Sequence, residues 1–289
     1  MLCAAAVPCL AIGIDKARGI TAVEPTFNKT TTTTRTYSFN DAAKKAENDA
    51  ILNDPAKYNG TKSFMEIYEI FREEIRTGVY NFGTEDASIG TPDSSWTVAP
   101  PEITQDHPRL LLTRDKIPTI RKSLEEVNPT NERFFELLDQ PTSYINNGKL
   151  GTATANYDGR KGLHNYRKDY LEYIQVKALG YLVDGHELYG YQAVHCMKQF
   201  LRTLDIQYIN TNMEREYGNT MFTAALVYDW CYDLLTEEDK RQLRAGIQNK
   251  TAKGNCGDPS YTTVTHYKWK MSVGYPPTNI GSVTGHASE

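Results

Sequence analysis

A histidine and a carboxylate stand three positions apart in the segment Gly285-His286-Ala287-Ser288-Glu289. In a helix this spacing places both side chains on one face, where they can bind a ligand or transfer a proton. Because the sequence stops directly after Glu289, we expect His286 and Glu289 to form one part of a site whose other part lies beyond them.

Aromatic and basic side chains alternate in the stretch that leads to this segment, residues 256–289. The stretch is rich in glycine and proline, and its His266, Trp269 and Lys270 supply stacking and positive charge together. This composition is typical of a carbohydrate-facing loop, and it is equally typical of an ordinary irregular connection. The sugar-facing alternative makes these three residues candidates for binding a sugar acid.

Further candidate ligands for a sugar lie earlier in the chain. Arg160 belongs to a local basic cluster in an otherwise acidic chain and could hold a carboxylate or sulfate group, although a solvated surface also explains it. Tyr217 and Asn219 stand near the start of a helical pattern and could reach sugar hydroxyls. Five cysteines show no zinc-ligand spacing, so we expect no metal site here, and Cys196 and Cys231 fall within apolar helical patterns that favour core positions.

Asp229 and Asp233 are separated by four positions and could be mistaken for the two carboxylates of a glycosidase. They lie beside an apolar helical stripe together with Trp230. This position favours hydrogen bonding to neighbouring helices over catalysis.

The composition is that of a globular protein and limits the partners. With 36 acidic and 32 basic residues the net charge is -4, which argues against general nucleic-acid binding. The apolar run 1–14 is too short to span a membrane and has the length of a signal-peptide core. We therefore expect an exported protein, secreted, periplasmic or on the cell surface, whose export signal is clipped.

We predict a linker and a small helical region in residues 15–104. A domain boundary is expected near residue 105, because residues 81–106 are rich in glycine and proline. From His107 onward, apolar residues recur at helical spacing over 170–182, 188–204 and 217–235, and Thr236 can cap a further helix. Short connections favour antiparallel hairpins. The pattern predicts an all-α array that closes into a toroid, stacks as a solenoid or forms a bundle, and the missing repeat period disfavours the solenoid.

Three segments in order carry a resemblance to a known family. They are His107-Pro108-Arg109-Leu110-Leu111-Leu112-Thr113, Ala225-Leu226-Val227-Tyr228-Asp229-Trp230-Cys231-Tyr232-Asp233-Leu234-Leu235-Thr236 and Gly285-His286-Ala287-Ser288-Glu289. Together they resemble the N-terminal α/α-toroid domain of the heparinase II/III-like polysaccharide lyases, which include alginate lyase relatives. The resemblance covers residues 105–289. It implies an incomplete (α/α) toroid of antiparallel helical hairpins, without the β-sandwich domain of the family.

The resemblance implies β-elimination in a polysaccharide that contains uronic acid, such as a glycosaminoglycan or alginate. His286 would then donate to the uronate carboxylate and take part in proton transfer, and Glu289 would orient the histidine or contact the sugar. The tyrosine, the second histidine and the frequent metal site of the family follow that histidine in the chain. We therefore expect these 289 residues alone to be inactive and to need no cofactor, with a metal only in a C-terminal domain.

Two other functions fit the same residues. A glycoside hydrolase on an α/α-barrel would need two carboxylates that face one cleft. A noncatalytic helical module could bind polysaccharide or a partner without chemistry.

Overall fold

The computed structural model describes residues 34–85, 105–141, 163–164, 168–206 and 214–253. These residues are mostly helical, which confirms the predicted all-α class. The strand pair among them is two residues long, Leu163–His164 antiparallel to Asp205–Ile206. No helix in this part of the chain is long and apolar enough to cross a membrane.

An N-terminal group of helices precedes the predicted boundary. It contains α1 (Ala42–Asn53), α2 (Pro55–Tyr58) and α3 (Phe64–Arg76). Ser63 begins α3 with a capping box, in which its hydroxyl accepts from the Glu66 amide and the Glu66 carboxylate accepts from the Ser63 amide. Helix α3 buries the apolar residues that recur at helical spacing, Phe64, Tyr68, Phe71 and Ile75. The boundary expected near residue 105 stays a prediction.

Residues 107–139 form a second group of short helices. A 3-10 turn, Arg114–Lys116, leads into α4 (Ile117–Leu124), and α5 covers Pro129–Asp139. Thr113 occupies the N-cap position of this 3-10 turn, but its hydroxyl bonds to Asp115 and makes no cap bond to the backbone. Proline lies inside the start of α5 because Asn128 supplies the N-cap and the first helical residue needs no amide donor.

Four long helices make up most of the rest of the described structure. They are α6 (Lys168–Asp184), α7 (Glu187–Thr203), α8 (Glu214–Trp230) and α9 (Glu237–Lys253). Helix α6 packs against α4, α5, α7 and α8, and α7 packs against α1 and α9. Only two residues connect α6 to α7, and the first, Gly185, has a φ of +79° that favours glycine. Helices α6 and α7 therefore form an antiparallel hairpin.

The end of α8 differs from the prediction. The apolar spacing extended this helix to Leu235, but α8 ends at Trp230 and a 3-10 turn, Tyr232–Leu234, follows. The predicted cap of the next helix is confirmed. The Thr236 hydroxyl accepts from the Asp239 amide at 3.1 Å, and the Asp239 carboxylate accepts from the Thr236 amide at 3.1 Å.

Two glycines allow close contact at the α6–α7 hairpin. A Cβ atom added at Gly180 would lie 2.3 Å from a methyl carbon of Leu138, and one added at Gly190 would lie 2.3 Å from Leu234 and 3.1 Å from the Tyr181 ring. Neither distance is compatible with a side chain unless its neighbours move. A side chain at either position would therefore force the Leu138 or Leu234 side chain to move.

His195 lies in the core among aromatic rings. Its ring centroid is 5.6 Å from that of Phe64 and 5.2 Å from that of Phe71, and its Nδ1 has no hydrogen-bond partner. Burial, together with the positive charges of Lys198 and Arg202, lowers the pKa of His195 to about 3. The imidazole is therefore neutral at ordinary pH.

We expect Gly190→Ala to lower the free energy of unfolding by about 1–2 kcal/mol, because the cost of overpacking exceeds the gain in helix propensity. Gly218→Ala is the control, since Gly218 is exposed on α8 and a Cβ atom there would meet nothing within 4 Å. That change should raise the free energy of unfolding by about 0.5–1 kcal/mol. Urea unfolding measures both, and equal effects would contradict the packing argument.

We expect His195 to make the protein less stable as pH falls. The unfolded chain binds a proton near pH 6.5, whereas the folded His195 stays neutral down to about pH 3. The stability that the neutral ring contributes is therefore present above pH 6.5 and decreases by up to about 1.4 kcal/mol per pH unit between pH 6.5 and 3. Urea unfolding from pH 7 to 4 should show a shallower dependence in His195→Leu, and an unchanged slope would refute this.

Candidate functional site

Asp229, in the last turn of α8, holds the segment that carries His107. The Oδ1 atom lies 2.6 Å from His107 Nδ1, and Oδ2 accepts from the backbone amides of Arg109 and Leu110 at 2.8 Å each. The carboxylate is only 2% exposed. Because an ionised carboxylate only accepts hydrogen bonds, the proton on the His107 ring belongs on Nδ1. The other ring nitrogen, Nε2, is then the one that can accept a proton.

Aromatic contacts reinforce the same junction. The Trp230 indole donates to the Leu110 carbonyl oxygen at 3.0 Å. The Tyr232 ring stacks on His107 with 3.7 Å between centroids and 6° between planes, and Lys240 Nζ lies 3.9 Å from the Tyr232 centroid. We call Asp229, His107, Tyr232 and the backbone amides of 109 and 110 the Asp229 cluster.

A cavity of about 210 Å³ lies beside the Asp229 cluster and includes His107, Asp229 and Tyr232 in its wall. Arg114 and Asp233 also line it and pair at 2.5 Å, with more than half of each side chain exposed. An imidazole oriented by a buried carboxylate can exchange a proton at its second nitrogen. The geometry therefore permits proton transfer at His107, although the volume is small for a polysaccharide.

The structure separates the roles of the two aspartates. Asp229 accepts three hydrogen bonds and is buried, whereas Asp233 is exposed and pairs with Arg114. The hydrogen-bonding interpretation of Asp229 is confirmed, but its partner is the 107–110 segment and not an adjacent helix. Both carboxylates line the cavity beside the Asp229 cluster, but both oxygens of Asp229 accept hydrogen bonds and Asp233 is paired with Arg114.

Most predicted site residues lie outside the part of the chain that the structure describes. Those are Arg160, His266, Trp269, Lys270, His286 and Glu289, and the side chain of Tyr217 on α8 is also outside it. Asn219 is half-buried on α8, and its carbonyl oxygen accepts from the Thr223 hydroxyl at 2.8 Å. Thr223 in turn accepts from Gln175 on α6 at 2.7 Å, so this part of α8 is tied to α6.

A buried ion pair that the sequence reasoning missed joins α7 to α9. Lys198 Nζ donates to Asp239 Oδ1 at 2.5 Å and to Gln242 Oε1 at 2.9 Å. Burial opposes ionisation of Asp239, but the Lys198 charge and the hydrogen bonds outweigh it, so the pKa of Asp239 is lowered. The signal in the sequence was a lysine inside an apolar helical stripe.

The described cysteines are core residues, as their helical spacing predicts. Cys196 and Cys231 are both free and buried. Burial raises the pKa of Cys196 to about 12 and raises the pKa of Cys231 as well, so neither is a thiolate nucleophile at neutral pH. Within the described ranges, no group of three or more His, Cys, Asp or Glu side chains could hold a metal ion.

Comparisons of this chain with protein-family models, curated proteins and solved structures found no match. The resemblance to the heparinase II/III-like lyases therefore stays a prediction that depends on the three sequence segments.

We expect Asp229→Ala to lower the free energy of unfolding by about 3 kcal/mol or more, because it leaves His107 and two backbone amides without their acceptor. Asp233→Ala is the matched control four residues away. It removes an exposed pair with Arg114 and should cost less than about 1 kcal/mol. Thermal and urea unfolding of both variants test this, and equal losses would show that the Asp229 cluster does not hold segment 107–110.

Proposed function

We propose that this chain is the helical region of a polysaccharide lyase that cleaves uronic-acid polysaccharides by β-elimination. One observation supports the proposal more than any other: two of the three lyase-like segments, 107–113 and 225–236, contact each other through the Asp229 cluster. His107 and Asp229 are 122 positions apart in the chain, so their contact joins two distant segments into one structural unit. The α6–α7 hairpin packs on α8, as in a toroid. Closure of the helices into a complete toroid is part of the proposal.

In the proposed reaction the enzyme neutralises the uronate carboxylate, removes the C5 proton and protonates the glycosidic oxygen that leaves C4. A C4–C5 double bond forms as the C4–O bond breaks. His286 donates to the carboxylate, where negative charge increases in the transition state, and Glu289 orients the imidazole. We assign no residue of this chain as the base that removes the C5 proton.

Binding of the sugar chain is assigned to residues around this centre. Trp269 and His266 offer ring faces to the sugar, and Lys270 and Arg160 offer positive charge to its carboxylates. Tyr217 and Asn219 lie in the first two turns of α8 and offer hydrogen bonds to hydroxyls. The proposal includes export of the protein, in agreement with the apolar run 1–14.

Binding is tested with the 289-residue chain and alginate, heparan sulfate and chondroitin by isothermal titration calorimetry. Carboxyl-reduced alginate is the control ligand. We expect binding only to the uronate form and about a tenfold loss of affinity in His286→Ala, which corresponds to one hydrogen bond to a charged group. Lys62→Ala, which removes an exposed positive charge elsewhere, should bind as the wild type does. Equal binding of carboxyl-reduced alginate would contradict the proposal.

Catalysis is tested on the product of the longest reading frame that contains these residues, by the ultraviolet absorbance of unsaturated uronate. We expect unsaturated products and their loss in His286→Ala. Formation of new reducing ends without that absorbance would favour a hydrolase, and binding without cleavage would favour a noncatalytic module.

A further inference from the structure

A second cavity, of about 410 Å³, lies away from the Asp229 cluster between α1, α5, α6 and α7. Exposed residues such as Lys57, Asn59 and Asp139 line its outer part. The buried residues that line it include Lys177, Leu138 and Tyr189. Its volume falls in the range of pockets that bind small molecules.

Lys177 lines this cavity and is 1% exposed. Its Nζ donates to the Leu138 carbonyl oxygen at 2.6 Å, and it lies 5.2 Å from the Tyr173 ring centroid and 4.9 Å from that of Tyr189. No carboxylate among the described residues forms a salt bridge with it. One carbonyl satisfies one of the three ammonium protons, so the charged form of Lys177 is poorly compensated.

Lys198 shows how the same helical array pairs a buried lysine with a counter-charge: burial lowers the pKa of Lys198 as well, but Asp239 acts in the opposite direction. It is equally buried, but Asp239 lies 2.5 Å from its Nζ and Gln242 lies 2.9 Å from it. The difference between the two lysines is therefore the counter-charge and the cavity, since burial is the same. This makes Lys198 an internal control for Lys177.

The surroundings of Lys177 favour its neutral amine. The pKa of Lys177 is lowered to about 7, mainly by burial; Cys196 and Asp139 act against this effect and the charge of Lys44 acts with it. The groups that face this part of α6 from packed elements are Asp139 on α5, Lys44 and Glu47 on α1, and Tyr189 and Cys196 on α7. A large fraction of Lys177 is therefore a free amine at neutral pH, and a desolvated neutral amine is a nucleophile.

We propose that Lys177 is a reactive lysine that forms an imine with a small aldehyde or ketone bound in this cavity. The amine lone pair attacks the carbonyl carbon and forms a C–N bond. The carbonyl oxygen then leaves as water, which takes both protons of the amine. No oxidant or reductant is needed. The site uses none of the residues assigned to the lyase reaction, so a negative result for one proposal leaves the other unaffected.

The test is reductive alkylation of the folded 289-residue chain with propanal and cyanoborohydride at pH 7, followed by peptide mapping by mass spectrometry. An exposed lysine is neutral in fewer than about one molecule in a thousand at this pH. We expect Lys177 to be alkylated at least about tenfold faster than Lys44, Lys57 or Lys198. The rate at Lys177 should rise with a midpoint near pH 7, whereas exposed lysines should rise only towards pH 10.

Two outcomes overturn the proposal. One is alkylation of Lys177 no faster than that of Lys44 or Lys57, and the other is a midpoint for Lys177 above pH 10. Both readouts use the wild-type chain, so they do not depend on whether a variant folds. Lys177→Met provides a further check, because it should remove only the fast phase of propanal incorporation while the exposed lysines react as before.

Discussion

The close packing of α6 against α7 is the contact on which the rest of the described structure depends. Gly180 and Gly190 allow the two helices to pack closely with their neighbours, and Gly185 reverses the chain between them within two residues. The remaining faces of α6 contact α4, α5 and α8, and those of α7 contact α1 and α9. Because protein cores are densely packed, a change in this hairpin would shift every helix that packs on it. Both cavities also have a wall on α6.

Polar groups buried between these helices join distant parts of the chain. Asp229 links α8 to the 107–110 segment, and Asp239 links α9 to Lys198 on α7. In both places a buried charge has several hydrogen-bond partners, as its cost of desolvation requires. Lys177 differs because its only hydrogen bond in the described structure is to one backbone carbonyl. Burial without a counter-charge changes its chemistry, and this is why it is a candidate for reactivity while Lys198 is a structural residue.

Local patterns predicted most of the helices in the described ranges, and tertiary contacts account for some of the differences. The stripe in α6 and α7 and the capping box at Thr236 depend on neighbours within a few positions, so sequence reasoning could find them. The apolar stripe of α8 continued past Trp230, yet the chain turns there, where Asp229, Trp230 and Tyr232 contact the 107–110 segment. Periodicity carries no information about a partner more than a hundred positions away.

The sequence by itself determined the all-α class, the approximate bounds of the long helices and the core positions of Cys196 and Cys231. These follow from helical periodicity and local capping, which act over three or four residues. Only the tertiary structure decided that Asp229 binds the His107 segment, that Lys198 has a carboxylate partner and that Lys177 lines a cavity without one. The physical reason is that desolvation and pairing of a buried charge depend on which helices meet around it.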